Sequence, residues 1–434
     1  MRFQGRASHQ RTATPPPAPP GGAGKRGARL RVTALLAILS LAFVGGHVAP
    51  AAGQGVDETA LRASLRTALT NFLRSQGAVE HISAVSLRVT FRGQRRALNV
   101  PVGTTRYGGG RPIAANSLWQ IGSNTKAFTS VMLLQLEAEH KLSIHDTVGK
   151  WLPRYRAWRH IQIKRLLNMT SGIPDYTPAF FRAYAAAPKT VFSPSRLVSY
   201  AVHRRLHRGY YYSNIGYILA QMILEKATRD TYAHQLQKRI AKPLRLRSLS
   251  YRPTRYPRAV RDRLPGGYFF TSGVPQMRPL LGHDLRRFNL SYAAGAGGIV
   301  SSLADLSKWE RALYAGRMLP RKQQRELESL VSEKTGKPVK RLTPADPQGY
   351  GLGVGKGLVP TLGRFWLYEG ETFAFRVLHF YFPRSGVLID IAVNSSTNHD
   401  LLSPLGVSIS AILHRLPLAA IPAPAARHHH RHHP

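Results

Sequence analysis

Within residues 119–139, WQIGSNTKAFTSVMLLQLEAE, everything past Lys126 is dominated by Ala127, Phe128, Val131, Met132, Leu133, Leu134 and Leu136. A helix that is apolar on nearly every side belongs inside a protein, not on its surface. The chain must therefore wrap this segment completely. Its first turn nevertheless carries a hydroxyl, Ser123, and an amine, Lys126, into that interior, where an unpaired amine is expensive.

The spacing suggests what such a pair is for. Residues i and i+3 of a helix lie on one face, a turn apart. A serine hydroxyl is a weak nucleophile until a neighbouring base takes its proton. Burial disfavours the ammonium form of lysine, so the amine becomes a base near neutral pH. Arginine does not deprotonate, and a lysine here stands out in a chain with far more Arg than Lys. Free N–H groups at a helix N-terminus also stabilise an oxyanion. Ser-x-x-Lys occurs once in the chain, preceded by Gly122. The plainer alternative, a capping serine beside a surface lysine, stays open from this segment alone.

Around the buried helix the pattern changes period. Residues 57–76 read as a first helix. Val85, Leu87, Val89 and Phe91 then alternate with polar residues, as in a half-buried strand, and 96–103 reads as its return strand. From about 143 to 290 short helices, turns and prolines predominate. Residues 295–316 form a glycine turn and a helix starting at Ser302. Strands return at 364–370, 374–382 and 387–395, before a closing helix at 405–416. Strands at both ends with helices between predict one antiparallel sheet, flanked by helices, that pairs across a helical insertion. The fold class is mixed α/β (α+β). The sheet parts span about 77–142 and 291–416, within a domain of 53–416.

A second constellation follows at RGYYYSNIGYILA, residues 208–220. Only Tyr212 of the three consecutive tyrosines has an asparagine, Asn214, two residues later. A phenol beside an active serine relays a proton, and an Asn amide holds a substrate amide or the lysine. Alone, this stretch reads first as a core aromatic cluster; its place after Ser-x-x-Lys and before an apolar helix gives it more weight.

The chain has 62 Lys and Arg against 21 Asp and Glu and no cysteine. Disulfides, thiolate metal sites and a cysteine nucleophile are excluded. Such a charge suggests nucleic acid, but the basic residues are spread along the chain and no nucleic-acid motif occurs. Clusters such as HRRLHR (203–208) and RYPRAVRDR (255–263) read as solvated faces or as attraction to an anionic cell-envelope polymer. Residues 1–31 are basic, 32–44 form an apolar run too short to span a bilayer comfortably, and Ala49 and Ala51 fit an A-x-A cleavage site. A signal peptide over 1–52 and export to the periplasm or beyond are expected, with an uncleaved membrane anchor as the alternative. After cleavage no transmembrane domain is expected. The tail 417–434 is His-rich and reads as disordered, without a specific metal site.

Taken together, these motifs resemble the serine hydrolases of the β-lactamase superfamily, in the branch of class C β-lactamases, D-alanyl-D-alanine carboxypeptidases and esterases. The likeness runs from about Ile82 to Asn394. It rests on the 119–153 segment, on IKRLLNMTSGIPDY (163–176) with Asn168 in place of a usual His, on YSN, on AAGAGGIVSSLADLSKW and on YGLGVG (350–355). The family's third motif, K-T-G or H-x-G, follows that last stretch. Lys334-Thr335-Gly336 is a literal match, but it precedes YGLGVG and lies in a polar, proline-bearing loop. The position instead falls on Tyr368-Glu369-Gly370. The resemblance implies Ser123 as nucleophile, with Lys126 and Tyr212 sharing the base role. It implies backbone N–H groups of Ser123 and Glu371 as the oxyanion hole, and Asn214, Tyr368 and Gly370 around a small-molecule or peptide substrate. No cofactor is implied. Tyr368 where a cationic side chain is usual shifts the expectation from carboxylate-bearing substrates towards neutral esters or amides. Glu369 and Glu371 beside the oxyanion site motivate the alternative of a non-catalytic ligand sensor or envelope scaffold.

Overall fold

The alternation at residues 85–91 builds the strand it predicts, and that strand lies in the middle of a sheet. The structure, a computed structural model, describes residues 57–93, 96–252, 254–271, 273–397 and 402–414. The expected leader over 1–52 and the tail over 417–434 lie outside these residues. Nine strands form the main sheet: β1 (Ala84–Thr90), β2 (Ala97–Arg106), β3 (Gly109–Pro112), β4 (Val331–Ser332), β5 (Gln348–Tyr350), β6 (Gly355–Val359), β7 (Gly363–Glu371), β8 (Arg376–Phe382) and β9 (Val387–Val393). Their order is β3-β2-β1-β9-β8-β7-β6-β5-β4, antiparallel between the neighbours that carry the core. The sheet closes across the insertion where Val85 faces Val393 and Thr90 faces Leu388.

The longer helices are α1 (Glu58–Gln76), α2 (Thr125–Ala138), α3 (Asn214–Thr228), α4 (Leu303–Tyr314) and α5 (Leu402–His414); α1, α4 and α5 pack on the sheet, and α3 packs on α2. On one face, Leu61, Leu65, Leu69 and Phe72 of α1 and Ile409 and Leu413 of α5 pack on Val85, Leu87, Val89, Ile389 and Ile391. On the other, α2 and α4 meet through Phe128 and Trp309, whose rings stack at 4.0 Å. The all-round apolar helix is buried as its composition requires, with Phe128, Val131, Met132, Leu133, Leu134 and Leu136 inaccessible to solvent. α3 starts where Ser213 accepts a capping hydrogen bond from the Gly216 N–H, and α4 where Ser302 accepts one from the Asp305 N–H.

The ends of the fold are joined by buried polar groups. Arg376 of β8 and Glu80, just before β1, form an ion pair at 2.5 Å with almost no exposure. The Asn394 amide accepts from the N–H groups of Ser83 and Ala84 and donates to the Gly266 carbonyl. A second buried cluster lies between α4 and the sheet, where Glu310, Asp390, His379 and Tyr314 meet. His379 Nδ1 is 2.8 Å from Glu310 and 3.1 Å from Asn124 Oδ1, and its Nε2 is 2.6 Å from the Tyr314 hydroxyl. Burial raises the Glu310 carboxyl to about 8, pushes Asp390 up as well and lowers His379 to about 4. The contact thus joins neutral groups.

Candidate active site

A short strand, Leu118–Gln120, pairs with Ile299–Ser302 and leads into a tight turn of 3-10 helix at Gly122–Asn124, directly before α2. Ser123 therefore sits in the turn and Lys126 in the first turn of the helix. Gly122 has φ +51°, and a Cβ there would lie 2.6 Å from the backbone N and O of Glu371. Gly370 faces the same junction: a Cβ on it would stand 1.9 Å from the Ile121 carbonyl oxygen. These two glycines let the end of β7 lie directly against the turn holding Ser123, a backbone approach that side chains would block.

Ser123 and Lys126 are both buried, at 7 % and 0 % exposure. Lys126 Nζ lies 2.8 Å from Ser123 Oγ, 2.8 Å from Asn214 Oδ1 and 3.0 Å from the Ala296 carbonyl oxygen. Burial lowers the amine to about 7, and the nearby Asp175 carboxylate opposes that shift. From the other side the Tyr212 hydroxyl donates to Ser123 Oγ at 2.6 Å. Burial raises the phenol above its ordinary value, which holds it protonated.

Tyr212 and Asn214 reach this point because residues 207–214 run along the turn-rich segment 168–175. The N–H of His207 donates to the Gly172 carbonyl, the N–H of Tyr211 to the Met169 carbonyl, and the Ser213 hydroxyl to the Pro174 carbonyl. Asn168 serves that segment structurally, its Oδ1 accepting from the N–H and hydroxyl of Thr170. Asp175 ends the segment. It accepts from the Asn214 backbone N–H at 2.8 Å and from the Asn214 side-chain amide at 3.0 Å. That pair fixes the amide orientation and turns Oδ1 towards Lys126. Sequence reasoning did not single out Asp175, whose partner lies 39 positions along the chain. The only signal was that Asp175 is the lone acid of residues 163–176.

Tyr368 is buried on β7, its hydroxyl 2.6 Å from that of Tyr350. It also hydrogen-bonds Tyr212, and Tyr350 hydrogen-bonds Tyr217. A file of neutral phenols therefore runs inward from Ser123. Glu371 is exposed at the strand end. Lys334-Thr335-Gly336 lies in the turn after β4, backed against Gly209 and Tyr210, and so lines no inner strand. Ser123, Lys126, Tyr212 and Asn214 thus converge in one place, with Gly370 and Glu371 at the backbone beside it.

A model of the β-lactamase family matches residues 69–404. Among curated proteins, the chain is 28% identical over 270 residues to penicillin-binding protein 4* of Bacillus subtilis, covering 60% of this chain and 57% of that protein. It is 26% identical over 194 residues to a teichoic acid D-alanine hydrolase of Staphylococcus aureus, covering 44% and 45%. The chain thus spans about half the length of these curated relatives, 57% of the first and 45% of the second. Among solved structures, a D-stereospecific amidohydrolase from Streptomyces sp. superposes with a TM-score of 0.64 at 27% identity, over 78% of this chain and 94% of that one. The D-amino acid amidase from Ochrobactrum anthropi SV3 shares the fold, with a TM-score of 0.67 at 21% identity, over 81% and 99%.

Proposed function

The chain belongs to the β-lactamase family of serine hydrolases, and from that premise we propose that it is an exported acyl hydrolase working through a Ser123–Lys126–Tyr212 acyl-enzyme mechanism. The observation that carries this reading is the pair of contacts on Ser123 Oγ, from Lys126 Nζ at 2.8 Å and from the Tyr212 hydroxyl at 2.6 Å. As a neutral amine, Lys126 donates its two N–H bonds to Asn214 Oδ1 and the Ala296 carbonyl. Its lone pair is then aimed at the Ser123 hydroxyl.

In this mechanism Lys126 takes the Ser123 proton as Oγ attacks the substrate carbonyl. The backbone N–H groups of Ser123 and Glu371, brought together by Gly122 and Gly370, stabilise the tetrahedral oxyanion. Tyr212, held neutral by burial, gives its proton to the leaving alcohol or amine and recovers one from the Lys126 ammonium. Water then attacks the acyl-enzyme, Lys126 accepts its proton, and Ser123 departs reprotonated with a carboxylic acid as product. Asn214 acts by holding Lys126, and Asp175 by holding Asn214.

The substrate class we favour is a neutral ester or amide, with a D-amino acyl group suggested by the relatives. Tyr368 offers no positive charge to a substrate carboxylate. Phe373, half-buried just past Glu371 and stacked on Tyr292 at 4.3 Å, presents an aromatic wall for an apolar acyl side chain. The test is intact mass of the protein after exposure to a fluorophosphonate and, separately, to penicillin. Labelling by the fluorophosphonate alone, lost in Ser123→Ala, is the expected result. Labelling by both places β-lactams or D-alanyl peptides among the substrates. No label from either sinks the hydrolase and favours a ligand sensor, which the exposed acid at Glu371 beside the oxyanion site would suit.

A further inference from the structure

The basic stretch RYPRAVRDR, left unused by the hydrolytic site, forms a wall of a cavity that opens to the surface. That cavity is about 580 Å³, within the size range of small-molecule sites, about 300–1,000 Å³. Arg252, Arg255, Arg258 and Arg261 all line it, and all four are exposed. The one carboxylate in the lining, Glu225, already accepts from the Tyr232 N–H and the Gln221 amide. Arg258 has a loose contact with Asp262 at 3.3 Å, while the other three have no ion-pair partner among the described residues. Thr231 and Thr254 add hydroxyls to the same lining.

Four like charges gathered around one hollow repel each other and sum to a positive potential there that favours an anionic ligand. A solvated face would not need the hollow. Guanidinium is also the cation whose planar fork fits phosphate oxygens two at a time. We propose that this cleft is a binding site for a ligand carrying several linked phosphate groups, separate from the hydrolytic site.

The separation follows from α3. Asn214, which holds Lys126, is the first residue of that helix, and Glu225 in the cleft comes eleven residues later. At 1.5 Å per residue the two lie about 16 Å apart. The cleft floor nonetheless touches the nucleophile helix, because the Tyr232 hydroxyl is 2.7 Å from Thr129 Oγ1 on α2. A long phosphate chain held here would be anchored beside the hydrolytic centre without entering it.

The proposal does not depend on turnover, and its test is calorimetric titration of the full chain, at about 0.15 M salt, with inorganic phosphate, tripolyphosphate and long-chain polyphosphate. Tripolyphosphate is expected to bind at one site, much more tightly than phosphate. The combined change Arg252→Glu, Arg255→Glu and Arg261→Glu is expected to weaken it at least about tenfold. The control Arg204→Glu, Arg205→Glu and Arg208→Glu makes the same charge change in the other basic cluster, and should weaken it less than about threefold. Equal weakening by the two triple variants would overturn the proposal, since the overall field would then be responsible. So would tripolyphosphate binding no better than phosphate. If the cleft triple variant fails to fold, Arg255→Gln replaces it, with an expected loss of about threefold and overturning on no change. Affinity that levels off at tripolyphosphate identifies a small free oligophosphate, whereas affinity that climbs with chain length identifies a polymer.

Discussion

A primary amine has one lone pair and two N–H bonds, and the surroundings of Lys126 engage all three. The Asp175 carboxylate works against burial at that amine, since negative charge favours the ammonium form. With Lys126 near 7, kcat/KM on an ester substrate should rise with pH through about 7 as the amine loses its proton. Asp175→Asn should move that rise to lower pH, because the opposing charge is gone, and should lower the plateau as Asn214 loses its tether. A pH–rate profile of both proteins checks this, and a rise left in place would mean that Asp175 exerts no field on the amine. Lys126→Arg, which stays cationic and supplies no base, should cost about 10²–10⁴-fold in kcat/KM. Ser123, Lys126, Tyr212 and Asn214 were legible in the sequence because each motif is local, a turn of helix or a residue beside a cap. Asp175 was not, because its role exists only once residues 168–175 lie along 207–214. The hydrogen bonding of Tyr368 was hidden likewise, because Tyr350 reaches it only across the sheet.

At the scale of elements, the strand and helix assignments followed from period, and the observed ends differ by a few residues. The closing helix, expected over 405–416, is present over Leu402–His414. Periodicity did not reveal what lies between α4 and β9. In Val387–Val393 every residue is buried, so Asp390 reads as an interruption of an apolar strand until Glu310 and His379 meet it. Glu310 is raised to about 8 from an ordinary value near 4.5. The folded state therefore keeps a proton that the unfolded chain releases, and this contribution is complete below about 4.5 and lost as pH rises through about 8. His379, lowered to about 4 from about 6.5, acts in the opposite sense, with a contribution present above about 6.5 and lost as pH falls towards 4. Asp390 and the guanidinium groups of Arg88 and Arg311 also face this cluster. Glu310→Gln keeps the neutral shape without the titration. The stability advantage of the native protein over this variant should shrink steadily from pH 5 to pH 8 in urea denaturation. An advantage that does not change with pH would show that Glu310 is ionised throughout.

On the scale of the whole molecule, the strands at the middle of the sheet come from its two ends, and Arg376 with Glu80 fastens that closure. Removing one partner of a buried pair leaves the other charge stranded, at a cost of about 3–5 kcal/mol. Arg376→Met should lose about that much in equilibrium unfolding, while Arg376→Met combined with Glu80→Leu should recover most of it. A double variant no better than the single one would show that the pair is not the source of the loss. The pairing of Val85 with Val393 also sets a schedule for the newborn chain. At about 5–20 residues per second, the roughly 300 residues between them take about 15–60 s to make. For all that time β1 offers an unpaired edge to any neighbouring strand, so the quarter-minute or more before β9 appears is when this protein most needs a chaperone.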